Sequence, residues 1–135
     1  MAYKIDEIEG IGPSYGEKLH AAGINTTDDL LSQCAKPAGR KQVAEKTGLS
    51  EKHILGWTNM ADLMRVSGIG KQFAELLEAA GVDTIKELRN RNAENLTEKM
   101  SEVNAEKNLC NASPSTSTVQ GWIEQAKQTE PKITY

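Results

Sequence analysis

Residues 8–31 read IEGIGPSYGEKLHAAGINTTDDLL, and residues 66–89 read VSGIGKQFAELLEAAGVDTIKELR. Aligned without a gap at a spacing of 58, ten of the 24 positions are identical, including Gly10/Gly68, Ile11/Ile69, Gly12/Gly70, Leu19/Leu77, Gly23/Gly81 and Thr26/Thr84. An internal repeat of this strength defines the structural unit before any other feature is read. Both copies centre on a Gly-Ile-Gly turn that enters an apolar-periodic stretch, so the fold and any function start there.

The repeat extends over nearly the whole chain. Ile54-Leu55-Gly56-Trp57 returns as Val119-Gln120-Gly121-Trp122, now 65 positions on, so the second copy has gained seven residues. The polar stretch Cys110 to Thr118, rich in Asn, Ser, Thr and Pro, reads as the loop that holds them. The expected organisation is a first repeat at 1–64, a second at 65–128 and a polar C-terminal tail at 129–135.

Periodicity is helical throughout. Phe73, Leu76, Leu77 and Ala80 recur at i, i+3, i+4 and i+7, as do Val119, Trp122, Ile123 and Ala126, and no window alternates with period two. Thr26 with Asp29 and Thr84 with Glu87 have capping-box spacing, and Ser50 precedes a further helix. Gly23, Gly48 and Gly81 stand where helices should stop, because glycine takes a left-handed residue at no steric cost. These signals predict an all-α fold with helices near 13–22, 27–35, 38–47, 51–64, 71–80, 85–91, 93–103 and 116–128. The hairpin of the second copy has the long helix 51–64 before it, whereas the first has only a short segment. The last helix is therefore expected to pack back on the first hairpin and close the two repeats into one pseudo-twofold body, or to dock on another molecule as a helix-swapped dimer.

Composition narrows the class. The chain has 135 residues, 38% of them apolar and 4% aromatic, with a formal net charge of −3. That suffices for one compact core built on Leu, Ile, Val and Ala. No stretch approaches the roughly 18–20 apolar residues of a membrane span, and the start MAYKIDEIEG lacks a signal peptide's basic and apolar regions, so a cytoplasmic location without membrane contact is expected. Cys34 and Cys110 lie at non-equivalent repeat positions without CxxC spacing and read as reduced, partly buried thiols. His20 and His53 have no partner at ligand or catalytic spacing and read as surface residues. There is no paired nucleophile and base, no metal-ligand cluster and no nucleotide-binding loop, so neither enzyme activity nor a cofactor is expected.

A two-glycine turn at a helix N-terminus gathers unsatisfied backbone N–H groups at the positive end of the helix dipole, an arrangement that suits an anion such as phosphate. The intervening Ile11 or Ile69 should point inward and pin the turn to its flanking helices. On these residues, GIGPSYGEKLHAAGI and GIGKQFAELLEAAGV, the sequence resembles the helix-hairpin-helix class found in DNA polymerases, ligases, nucleases and recombinase domains. The resemblance implies hairpin amides that grip a DNA phosphate without reading sequence, and it allows a potassium or sodium ion on the carbonyls of Gly68 and Gly70. Over almost its full length, including PAGRKQVAEKTGLSEKHILGWTNMADLMRVSGIG, the chain is similar to an uncharacterised bacterial family, labelled a domain of unknown function, made of such repeats.

Charge separates the two hairpins. The first is preceded by Asp6, Glu7 and Glu9, which repel a phosphate at Gly10 and Gly12 and leave only Lys4 and Lys18 nearby. The second has Arg65 and Lys71 around Gly68-Ile69-Gly70, with no acidic residue from Leu63 through Ala74. The phosphate-contacting set is therefore expected at Arg65, Gly68, Ile69, Gly70, Lys71 and Gln72. Gly10, Gly12 and Lys18 take a lesser part, and Arg40 and Lys41 form, with Lys46, a second basic cluster. Each feature also has a plainer account: glycines that only let helices turn and pack, and a basic cluster that is a solvated helix face. Trp57 and Trp122, equivalent in the repeat, read as core. Two functions follow: weak, sequence-independent contact with DNA, with a log–log salt slope of roughly −2 to −4, or a protein-interaction or assembly module in which the hairpins are purely structural.

Overall fold

The computed structural model describes residues 3–135. A short 3-10 turn at Ile5–Glu7 leads into eight α-helices: α1 (Pro13–Ala21), α2 (Thr27–Cys34), α3 (Pro37–Thr47), α4 (Glu51–Leu63), α5 (Lys71–Ala79), α6 (Ile85–Leu88), α7 (Ala93–Lys107) and α8 (Thr116–Gln128). The described residues contain no β-strand, only an isolated bridge between Lys4 and Thr26. None of these helices is long and apolar enough to cross a membrane.

Local chemistry explains the helix starts. Thr26 Oγ1 accepts from the Asp29 amide at 3.1 Å while Asp29 accepts from the Asn25 and Thr26 amides, a complete capping box. Those backbone donors hold the Asp29 carboxyl below its ordinary range. Thr84 accepts from Glu87 N at 3.3 Å, but the Glu87 carboxylate turns to Arg91 instead of closing a box. Ser50, Asn92 and Ser115 cap α4, α7 and α8.

Two helix ends differ from expectation by more than one residue. α6 stops at Leu88, where the backbone tightens into turns as Asn90 N and Arg91 N donate to Glu87 O and Leu88 O, while the Arg89 side chain donates to the carbonyls of Ala126 and Thr129 and that of Arg91 to Gly81 O. α7 runs on to Lys107 and ends on left-handed Asn108 (φ 53°), the role Gly48 (φ 75°) plays for α3. Asn104 then pins Cys110 through both its amide and its carbonyl, at 2.8 and 3.1 Å. The seven residues gained by the second copy are thus not confined to the stretch from Cys110 to Thr118. They are divided between a longer α7 and the loop that follows it.

The core is one apolar cluster in which equivalent positions are buried alike: Leu19 and Leu77, Ile24 and Val82, Leu30 and Leu88. Ile11 and Ile69 are buried as the inward pins of their turns. α2 packs on α3 and α4, and α6 and α7 pack on α8, while α4 meets α5 to join the two copies. Trp57 packs at a tilt on Tyr15, with centroids 5.2 Å apart, and Trp122 likewise on the equivalent Phe73 at 5.1 Å.

Contrary to the expectation from the repeat, the last helix does not pack back on the first hairpin. Trp122 of α8 lies against Gly68 of its own copy's hairpin, not the first, and Ser67 exchanges two hydrogen bonds with Gln125. Trp57 of α4 covers Gly10 of the first hairpin. The physical reason is nearness in the chain: α6 and α7, which directly precede α8, are the nearest apolar partners for the stripe of Val119, Trp122, Ile123 and Ala126, so the last helix closes locally.

Residues 129–135 also form more than a polar tail. Thr134 N donates to Ala35 O at 2.8 Å, and Arg40, Arg65 and Arg89 donate to the carbonyls of Thr134, Glu130 and Thr129 at 2.8, 2.7 and 2.7 Å. The segment straps the end of α8 to the first copy.

Both cysteines are free and buried. Burial pushes the Cys34 thiol up to about 11. At pH 8 its thiolate fraction, and so its alkylation rate, is expected to fall about 100-fold below that of an ordinary thiol, with modification following unfolding. Timed iodoacetamide labelling with peptide mass analysis checks this.

Candidate functional site

The two Gly-Ile-Gly turns have the same backbone. Gly10 and Gly68 take φ of 93° and 94°, a region closed to most side chains. Ile11 N donates to Ile8 O at 3.2 Å, and Ile69 N to Val66 O at 3.1 Å. α1 and α5 then start on Gly12 and Gly70, both extended, with no side-chain cap. α2, α4, α6, α7 and α8 are all closed by a Ser, Thr or Asn side chain. The two helices that follow the Gly-Ile-Gly turns, like α3 after Lys36, therefore keep first-turn amides and the positive dipole end free of a side-chain cap. Pro13 removes one donor from α1, whereas α5 has Lys71 at that place and keeps the full set.

Gly68, Gly70, Lys71 and Gln72 form one accessible face, with Ile69 buried beneath it. Gly10, Gly12 and Lys18 are likewise exposed, and nearby Asp6 Oδ1 lies 3.4 Å from His20 Nε2.

The cations are placed otherwise than the sequence implies. Lys71 Nζ stands 3.3 Å from Glu9 Oε2, both about half exposed, so an acid of the first hairpin faces the second. Burial first, and then the charge of Glu9, raises the carboxyl of Glu75 one turn further along α5. Arg65 is not a free phosphate contact. It pairs with buried Asp62 and donates to Glu130 O, while the second Asp62 oxygen accepts from Ile85 N at 2.9 Å. Asp62 thus caps α6 and anchors Arg65 at once.

Arg40 is withdrawn further. At 5% exposure it is core rather than solvated face, donating to Cys34 O, Ala35 O and Thr134 O. The reason is geometric: a guanidinium's planar fork satisfies several carbonyls where α2 ends, which the ammonium groups of Lys41 and Lys46, left exposed, do not attempt. The basic cluster is therefore divided, with only the lysines at the surface.

Two site features escape the sequence reading: Glu9 at Lys71, and the indole nitrogens of Trp57 and Trp122 at the hairpin glycines, 3.5 and 3.2 Å from where a Cβ would stand on Gly10 and Gly68. The first carries no sequence signal, since the partners lie 62 positions apart. The second was available in the matched Gly-to-Trp pairs of the repeat.

No curated protein matches the chain, and no solved structure matches it. A family model does match, over residues 9–129, a span that takes in both Gly-Ile-Gly turns and all eight α-helices. By that match the chain belongs to the family described as Domain of unknown function (DUF4332).

Proposed function

We propose that the protein is a non-catalytic cytoplasmic module of two tandem helix-hairpin-helix repeats that makes weak, sequence-independent contact with DNA phosphates, mainly through Gly68 to Gln72. The observation that carries this reading is the open N-terminus of α5, which begins on an exposed glycine turn with its first amides uncapped and Lys71 beside them. Backbone amides at a helix start favour a phosphate irrespective of the bases attached to it. With Arg40 and Arg65 bound inside the fold, few phosphates are engaged, and the log–log salt slope falls near the shallow limit, about −2.

Glu9 acts in this reading as an internal competitor for Lys71. An ion pair between half-exposed groups is worth about 0–1 kcal/mol, so a phosphate displaces it at small cost. Glu9→Gln is expected to tighten DNA binding by up to about fivefold, the factor equivalent to 1 kcal/mol, and Lys71→Glu to abolish it. Fluorescence anisotropy with labelled oligonucleotides at low salt tests both.

A second reading is favoured by the same engaged cations together with the net charge of −3: the hairpins are purely structural and an acidic surface meets a protein partner. It predicts no DNA binding and a stable complex or self-association in solution. α8 packs within its own copy, so a monomer is expected from light scattering under the first reading.

A further inference from the structure

Each copy of the repeat buries one tryptophan against its hairpin. Trp57 is 6% exposed and Trp122 3%. Their rings are occupied by packing, on Tyr15 and on Phe73 respectively. A tryptophan buried in this way has one polar atom to account for, the indole N–H, a donor only. Neither indole N–H pairs with an acceptor among the described residues, and no fully buried side-chain nitrogen or oxygen among them lacks a partner. Each N–H therefore reaches solvent at the edge of its ring. That edge is the hairpin: in the second copy Nε1 lies 3.2 Å from the place a Cβ would take on Gly68. A methyl group at that place would press on the nitrogen, so glycine both permits the positive φ of the turn and leaves the donor open.

We infer that the Trp122 indole N–H is a ligand-contacting donor of the second hairpin, binding an oxygen of the same backbone phosphodiester that the α5 amides and Lys71 hold. The inference rests on the phosphate reading given above and adds a side chain to it. Three kinds of donor then belong to one turn: uncapped amides of α5, the Lys71 ammonium, and a neutral N–H held by a buried ring against Gly68, two residues before the α5 N-cap Gly70. Rigidity makes the indole contact cheap in entropy, and the contact adds a donor beside the one lysine. The first hairpin is an internal control. Trp57 approaches Gly10 in the same way, but Asp6, Glu7 and Glu9 precede that turn, and Pro13 removes an amide.

The test uses the full chain. Trp122→Phe keeps an aromatic ring against Phe73 while removing the donor and one ring of the indole, and Trp57→Phe leaves Trp122 as the single tryptophan. Circular dichroism and thermal unfolding establish that both variants fold. By anisotropy with a labelled oligonucleotide, Trp122→Phe is expected to bind about tenfold or more weakly, the loss for one hydrogen bond to a charged acceptor, while Trp57→Phe binds within about twofold of wild type. In the Trp57→Phe protein, micromolar oligonucleotide is expected to shift Trp122 emission, and inorganic phosphate to do so only at millimolar concentration. That difference separates a phosphodiester backbone from free phosphate as the ligand. Unchanged affinity in Trp122→Phe, with binding still abolished by Lys71→Glu, would overturn the indole assignment and leave the hairpin reading standing. Should Trp122→Phe not fold, an emission that ignores bound oligonucleotide overturns the assignment by itself. Absence of binding by the wild-type protein would remove the hairpin reading and the indole assignment together.

Discussion

Alanine at position 39 is expected to destabilise the protein by about 3 kcal/mol, at the upper end of overpacking costs. A Cβ on Gly39 would stand 1.9 Å from the Gln33 carbonyl oxygen and 3.0 Å from its carbon. The obstacle is backbone, so no side-chain rotation relieves it. α3 would have to move by more than an ångström from the end of α2, opening a region that buries Leu30, Leu31, Cys34, Val43 and Ile54. The sign is diagnostic, because glycine to alanine inside an ordinary helix stabilises by up to about 1 kcal/mol. Urea unfolding checks it, and a midpoint equal to or above that of the wild type would mean that α2 and α3 do not approach as described.

Replacing Arg40 by methionine is expected to cost about 2–4 kcal/mol, the range for stripping a charged donor from buried acceptors. The guanidinium holds the carbonyls of Cys34, Ala35 and Thr134 at 3.0, 3.1 and 2.8 Å, and no carboxylate pairs with it among the described residues. Methionine fills the volume of the stem but leaves Cys34 O, at the end of α2, without its donor. Lysine is expected to recover little, since one ammonium cannot span both ends of the fork. The strap should loosen with it: hydrogen exchange at the Thr134 amide, now bonded to Ala35 O, is expected to lose its protection. Stability and strap protection that both survive the substitution would contradict the account.

Much of this architecture was legible in the sequence because it is local. Thr26, Ser50 and Thr84 cap helices within three residues of themselves, Gly23, Gly48 and Gly81 take positive φ at or just past the ends of α1, α3 and α5, and the starts of seven of the eight helices fall at the expected residue. The repeat also predicted that Ile11 and Ile69 would be buried and that the two tryptophans would pack.

What was not legible depends on approach between distant segments. Nothing in PAGRK shows that Gly39 touches the backbone of Gln33 or that Arg40 is the buried member of its cluster. Nothing near Lys71 in sequence reveals Glu9. The strap is held by main-chain carbonyls, which every residue carries, so its composition reads only as polar. The last helix was misplaced for a different reason. Repeat equivalence shows which helices correspond, but it does not say which hairpin each one covers, and the last helix packs on the elements just before it in the chain.

The most direct test of the phosphate-binding account is anisotropy at low salt with labelled duplex and single-stranded DNA, comparing wild type, Glu9→Gln and Lys71→Glu after circular dichroism has shown that all three fold. The account predicts salt-weakened binding in the order Glu9→Gln, wild type, Lys71→Glu, with the last at background, and no preference among sequences. Binding that ignores Lys71 and Glu9, or no binding by any of the three at high micromolar protein, would contradict it and make the Gly-Ile-Gly turns architectural.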